Sequence, residues 1–294
     1  MSIVIMQLFS CEDSQIVPFE KTDIYSPKII SYHFGVEHLS IANQITTLVN
    51  LQMDGITLQI EANSLQNLEH YYQSEEVKNG EFIIHDIFTT LSIDNPEELE
   101  IQMRTIENIY KKIQFEKTEL QAIFKGRKES LNVSIVISRV AELAEKYNKN
   151  LIIYPHEGNA IETAEEALDY IQSIDQDNVF LSVHLCHELA AGNGGRIDEV
   201  ITNVASYIKS VSISGATESE QIDTALPLWY WAIKPLNMGT YDYTKYYKAL
   251  YENDYEGPIA IHTWGIFKNF GLAPKDHLPD SRNILLELAI DVCK

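Results

Sequence analysis

Cysteine is scarce in this chain. Three residues, Cys11, Cys186 and Cys293, stand far apart among 294 with no Cys-x-x-Cys pair, which excludes a disulfide framework and a thiolate zinc site. Basic residues are scarce too: 22 Lys and Arg face 43 Asp and Glu, for a net charge of −21. A surface of that sign repels phosphate backbones and anionic lipid heads, so nucleic acid is not an expected partner. No apolar run approaches the roughly 20 residues needed for a transmembrane segment, and no internal repeat or low-complexity tract is visible. What is present is 45% hydrophobic content, enough to bury one barrel-sized core or two smaller ones.

The N-terminus reads separately from the rest. Residues 1–11, MSIVIMQLFSC, are apolar up to Ser10 and turn acidic at CEDSQ. Leu8-Phe9-Ser10-Cys11 resembles the lipobox of bacterial lipoproteins, although no Lys or Arg precedes the short apolar run. On that reading Cys11 carries a lipid anchor and the protein is periplasmic or membrane-anchored; otherwise it is cytoplasmic. Pro18, Pro27 and many polar residues make the following stretch a linker, so residues 1–27 are expected as a tail and 28–294 as one domain.

From residue 28 onward short β-rich runs alternate with longer helical ones. Strands are expected at 28–34, 55–60, 81–88, 119–124, 151–155, 178–185, 208–213 and 258–264, mostly as continuous apolar runs suited to parallel strands covered on both faces. Residues 134–147 carry Ile135, Val140, Leu143 and Ala144 at helical spacing, and Thr163 with Glu166 forms a capping box before 164–174. Eight such alternations predict an α/β fold, a single (β/α)8 TIM barrel; a doubly wound sheet is the competing architecture.

In a barrel of this kind chemistry sits at the C-terminal ends of the strands. His33, His85, His156, His184 and His262 are expected at or just past such ends, with His187 one turn beyond His184. Each alone suits a hydrogen-bonded structural histidine. Together they suit metal binding or proton transfer at one mouth. Tyr154, Trp229, Trp231 and Trp264 fall in the later strand regions, where flat rings bind the apolar faces of sugars while histidines and serines bond the hydroxyls. Lys125, Arg127 and Lys128 follow the fourth strand and offer charge to an anionic group, or simply to solvent.

The segments LIIYPHEGNAIETAEEALDYI, DNVFLSVHLCHELAAGN, IKSVSISGATES, PLNMGTYDYTKYYKALYENDYEGPIAIHTWGI and DHLPDSRNILLEL together resemble the xylose isomerase-like TIM barrel superfamily of sugar (phosphate) isomerases and epimerases. The resemblance is good from about residue 130 to the end. It implies a divalent metal held by Glu, Asp, His and Glu at the ends of the fifth to eighth strands, with the glutamates moving a proton beside a carbonyl. The aligned positions here are Tyr154, His184, Ser212 and His262, and none matches. If a metal is kept, a nitrogen-rich set of His184 and His262, completed by His156, His187 or Glu157, points to zinc or manganese rather than magnesium.

Two functions follow as expectations. The first is an isomerase- or epimerase-like enzyme on a sugar or keto-sugar, or a related lyase or hydrolase. His262 and His156 would serve as acid and base and His184 would position substrate or metal. Tyr154, His187, Ser212 and Trp264 would contact the substrate, and Lys125 would meet any anionic group on it. The second is a non-catalytic sugar-binding barrel, anchored at a surface through Cys11. In plainer roles, Tyr154 fills the space of a metal, His187 with Glu188 pins a loop, and Cys186 is a small buried hydrophobe.

Overall fold

All eight runs form strands: β1 (Ile29–Tyr32), β2 (Gly55–Gln59), β3 (Ile83–Ser92), β4 (Glu119–Lys125), β5 (Leu151–Ile153), β6 (Val179–His184), β7 (Ile208–Ile213) and β8 (Ile259–Ile261). In this computed structural model, which describes residues 25–60, 65–128, 130, 132–174 and 176–293, each strand pairs in parallel with the next. β8 returns to β1 through Ile29↔Ile259 and Ser31↔Ile261, closing the barrel. That closure excludes the doubly wound alternative, whose sheet stays open. Cys11 and most of the expected tail lie outside the described residues. Among the described residues no helix is long and apolar enough to cross a membrane.

Alternation along each strand sorts side chains between the barrel interior and the helical layer. Ile30, Tyr32, Phe88, Ile123, Tyr154 and Ala260 pack on one another inside. Their neighbours of opposite parity, among them Ile29, Ile87, Phe124, Ile153 and Ile261, join the large core beneath the helices. The interior parity also carries polar residues that are nearly or fully buried: Asp86, Gln121, Ser182, His184, Ser210, Ser212 and His262. Low in the barrel, Ser210 Oγ donates to Asp86 Oδ2 at 2.7 Å and accepts from Gln121 Nε2 at 3.1 Å.

Two local expectations are corrected. The helix Asn132–Glu145 buries Val133, Val136, Ile137, Val140, Ala141 and Ala144, whereas Ile135 is 59% exposed. The stripe therefore starts at Val133, and truncating Ile137 to Ala would cost about 2–5 kcal/mol. The second correction concerns β3, which continues to Ser92 because Thr89–Ser92 pair with Ala122–Lys125. Its register with β2 steps from Ile56↔Ile84 to Thr57↔Asp86, leaving His85 as the extra residue of a bulge. His85 thus sits near the start of β3, its Nε2 3.7 Å from Asp86 Oδ2, and does not reach the mouth.

Helix caps and loop ties set the rim. Thr163 Oγ1 accepts from the Glu166 N–H at 3.2 Å, as expected, while the Glu166 carboxylate accepts from the Glu162 N–H, one residue before the cap. Glu188 caps the same helix, Ala164–Ser173, from the next unit: one carboxylate oxygen accepts from the Ala164 N–H and the other from the Asn193 amide, each at 2.7 Å. After β7, Gly215 and Lys234 exchange two backbone hydrogen bonds of 2.8 Å, closing an excursion that contains the short helix Leu228–Ala232. A Cβ on Gly215 would lie 2.1 Å from the Pro235 carbonyl oxygen, so only glycine fits there.

Candidate functional site

The barrel mouth holds a cavity of about 230 Å³ walled by Phe34, Gln59, Phe88, Thr90, Ile123, Tyr154, His156, His187, Trp229, Ile233, His262 and Trp264. The Gly215–Lys234 closure brings Trp229 here: its ring meets His187 edge-on at 5.2 Å and Trp264 at 6.3 Å. His156 and His187 lie 4.1 Å apart between ring centres. No Asp, Glu, Lys or Arg is among the described lining residues.

Hydrogen bonds fix the tautomers of two of these rings. His187 Nδ1 accepts from the Glu157 N–H at 3.3 Å, so the neutral ring carries its proton on Nε2. That Nε2 is buried and has no partner among the described residues, and the same holds for His262 Nδ1. Each such atom costs about 1–3 kcal/mol unless solvent or a ligand meets it. His156 Nδ1 donates to the Glu157 carbonyl oxygen at 2.8 Å.

His184 lies under this wall rather than in it. Ser182 Oγ donates to the Ile153 carbonyl at 3.2 Å and so accepts from His184 Nε2 at 2.7 Å. That leaves Nδ1 as the acceptor, met by Ser212 Oγ at 2.7 Å and Tyr32 Oη at 3.3 Å. Tyr154 stacks on the same ring with centroids 3.7 Å apart, and the Tyr32 and Tyr154 hydroxyls bond each other. One nitrogen is protonated and the other has spent its lone pair on a hydroxyl. His184 is saturated.

Burial keeps these imidazoles neutral. Desolvation, reinforced by neighbouring histidines, pushes His184 and His187 well below the ordinary range. The same two causes bring His262 down to about 3. His156 is lowered by desolvation and partly restored by Glu157. Burial acts oppositely on Glu188, whose carboxyl rises to about 7.

The expected metal set of His184, His262 and Glu157 does not assemble. Among the described residues no group of three or more His, Cys, Asp or Glu is placed to hold a metal ion. The chemistry of the donors agrees, because a saturated His184 offers no lone pair to a cation. The four positions that the family resemblance gives to metal ligands are filled by Tyr154 stacked on His184, Ser212 bonded to it, and His262 beside Tyr32 at 4.4 Å.

Of the other residues expected at the site, Tyr154, His156, His187, His262 and Trp264 come together in the cavity wall. Ser212 lies beneath it, buried against His184. Lys125 is exposed at the end of β4 and does not line the cavity, and the hydrogen bonds from Glu157 to His156 and His187 are made by its backbone groups. Lys128 pairs with Glu162 and Glu166, and Arg127 with Asp94. His33 Nδ1 accepts from the Gln59 N–H, tying β1 to β2. Trp231 packs with Cys186, Ala232 and Ile266 behind the wall. The lining residues Phe34, Gln59, Phe88, Thr90, Ile123 and Ile233 were not anticipated. Counting interior parity to the last turns of β2, β3 and β4 would have found four of them, Gln59, Phe88, Thr90 and Ile123.

A family model described as xylose isomerase-like TIM barrel matches residues 126–285. No curated protein matches the chain. Among solved structures, the probable 3-DHS dehydratase AsbF of Bacillus anthracis is similar at TM-score 0.69 and 15% identity, over 88% of this chain and 98% of that one. D-psicose 3-epimerase, solved in the presence of D-fructose, gives 0.65 and 12% over 90% and 99%. A xylose isomerase-like TIM barrel protein from Mycobacterium smegmatis in complex with magnesium gives 0.65 and 16% over 92% and 99%. At these identities the likeness is one of fold.

Proposed function

The chain belongs to the xylose isomerase-like TIM barrel family, and from that premise we propose that its mouth takes a small neutral sugar or keto-sugar. The observation that carries this reading is the pair of buried ring nitrogens without partners among the described residues, His187 Nε2 and His262 Nδ1, on residues of a wall that also holds Tyr154, Trp229 and Trp264. Flat rings stack on the apolar faces of a sugar, and a neutral imidazole meets a hydroxyl as donor or acceptor. The lack of charged side chains among the described lining residues supports a neutral ligand over a sugar phosphate. The D-fructose named with one structural neighbour is of the same class.

A second reading adds proton transfer beside the carbonyl, as in an isomerase or epimerase, with His262 and His156 as acid and base. Its support is that both line the cavity with His187. Against it stands the weak basicity of a histidine held near 3, since general bases work best near the ambient pH. Titration calorimetry against neutral monosaccharides, with the sugar recovered and analysed, separates the two. Binding with unchanged sugar supports the first reading. Interconversion that falls at least ~100-fold in His262→Ala, with the fold intact, supports the second. No binding by any sugar refutes both. A lipid on Cys11 would place the protein at a membrane surface among unphosphorylated sugars; mass spectrometry of the native N-terminus tests this.

A further inference from the structure

The geometry points to a ligand longer than one ring: we propose that a second cavity beside the mouth holds the next unit of a disaccharide or glycoside. This inference rests on the reading of the mouth as a sugar site. The outer cavity, about 430 Å³, shares Phe34 and Trp264 with the inner one as common walls. The two cavities are therefore neighbours, bounded by the same two rings.

The far wall is built from the turn after β8. Gly265 stands at φ 74°, a left-handed conformation that other residues adopt only with strain, and the chain then enters the helix Ile266–Phe270. Ile266 is buried at 1% exposure, while Trp264 is left 40% and Phe267 64% exposed. Two large rings three residues apart are thus held at the rim of one cavity, where folding has not used their area. The shared wall is also braced: Thr263 Oγ1 donates to the carbonyls of Phe34 at 2.9 Å and Tyr32 at 3.3 Å, fastening the end of β8 to the end of β1.

Gly35, Glu37, His38, Lys268 and Ala273 complete the outer lining. Charges of both signs in one groove suit hydroxyl groups, which donate and accept, better than an ion of either sign. Exposed aromatic faces flanked by such groups suit a pyranose or furanose ring.

The test is calorimetry on the full chain with matched probes: D-glucose against maltose and cellobiose, and D-fructose against sucrose and palatinose. At least one disaccharide is expected to bind about tenfold more tightly than its monosaccharide, equivalent to about 1.4 kcal/mol. Phe267→Ala should remove most of that gain while monosaccharide affinity stays within about twofold. Because Phe267 is largely exposed, the variant should melt with the wild type. Monosaccharide binding with no gain for any disaccharide, or a gain that survives Phe267→Ala, overturns the outer subsite and leaves the mouth reading standing. If no probe binds, the mouth reading fails and takes the subsite with it.

Discussion

Replacing His184 by alanine tests whether this ring is an interior strut or a ligand in waiting. The change opens a cavity between Tyr154 and the barrel wall, which for a buried side chain of this size costs about 2–5 kcal/mol. The ring stack at 3.7 Å adds about 0.5–1.5 kcal/mol beyond area. Ser182 keeps the Ile153 carbonyl and Tyr32 keeps Tyr154, but Ser212 Oγ loses its imidazole acceptor, worth about 1 kcal/mol or more. Together these give about 3.5–7.5 kcal/mol, and at about 2 °C per kcal/mol for a domain of this size the melting temperature should fall by about 7–15 °C. Differential scanning calorimetry near neutral pH measures it. Chelator, zinc or manganese should leave the wild-type melt within about 1 °C. Were His184 a metal ligand, metal at 100 times its dissociation constant would add about 2.7 kcal/mol, or about 5 °C. A rise of that size in the wild type that disappears in His184→Ala would refute the saturated-ring argument.

Three further outcomes follow from named contacts. Ser210→Ala removes the donor to buried Asp86 and should cost about 1–3 kcal/mol in urea denaturation; an unchanged midpoint would mean that the carboxylate has another partner. Acidification should destabilise the fold. His262 and His277, the latter buried on the last helix (Pro274–Val292), are held by burial near 3 and 4 when folded but take a proton near 6.5 when unfolded, so the unfolded chain binds more protons as the pH drops below about 6.5. Each such histidine costs up to about 1.4 kcal/mol per pH unit until its folded value is reached. Glu188, raised to about 7, opposes this by losing stability as the pH rises from about 4.5, but one carboxyl faces at least four lowered histidines: His184, His187, His262 and His277. Equal denaturation midpoints at about pH 7.5 and 5 would contradict the sign. Gly215→Val drives a side chain into the Pro235 carbonyl, and the displaced Trp229 should weaken sugar binding about tenfold; tryptophan fluorescence and calorimetry that both match the wild type would show that the excursion closes without this bridge.

The strands were legible because each is a local apolar run whose two covered faces leave little doubt about its environment. Their ends were less so. β3 outruns its expected end at Phe88 by four residues because Thr89–Ser92 pair with Ala122–Lys125, a partner more than thirty residues away. That extension, with its bulge, moved His85 from the expected mouth to the opposite end of the strand. The convergence of His156, His187 and His262 was visible from their places at successive strand ends, since barrel closure brings all such ends to one side. Their separate roles were not.

The order of strands and helices and the fold class belong to the sequence alone, since they depend on composition and on spacing along the chain. Which nitrogen is free belongs to the tertiary structure. His184 is saturated by Ser182, Ser212 and Tyr32, the last 152 residues away, whereas His187, three residues further on, keeps an Nε2 with no partner among the described residues. A hydrogen bond joins whichever groups closure brings within about 3 Å, and that distance is not written in the order of residues.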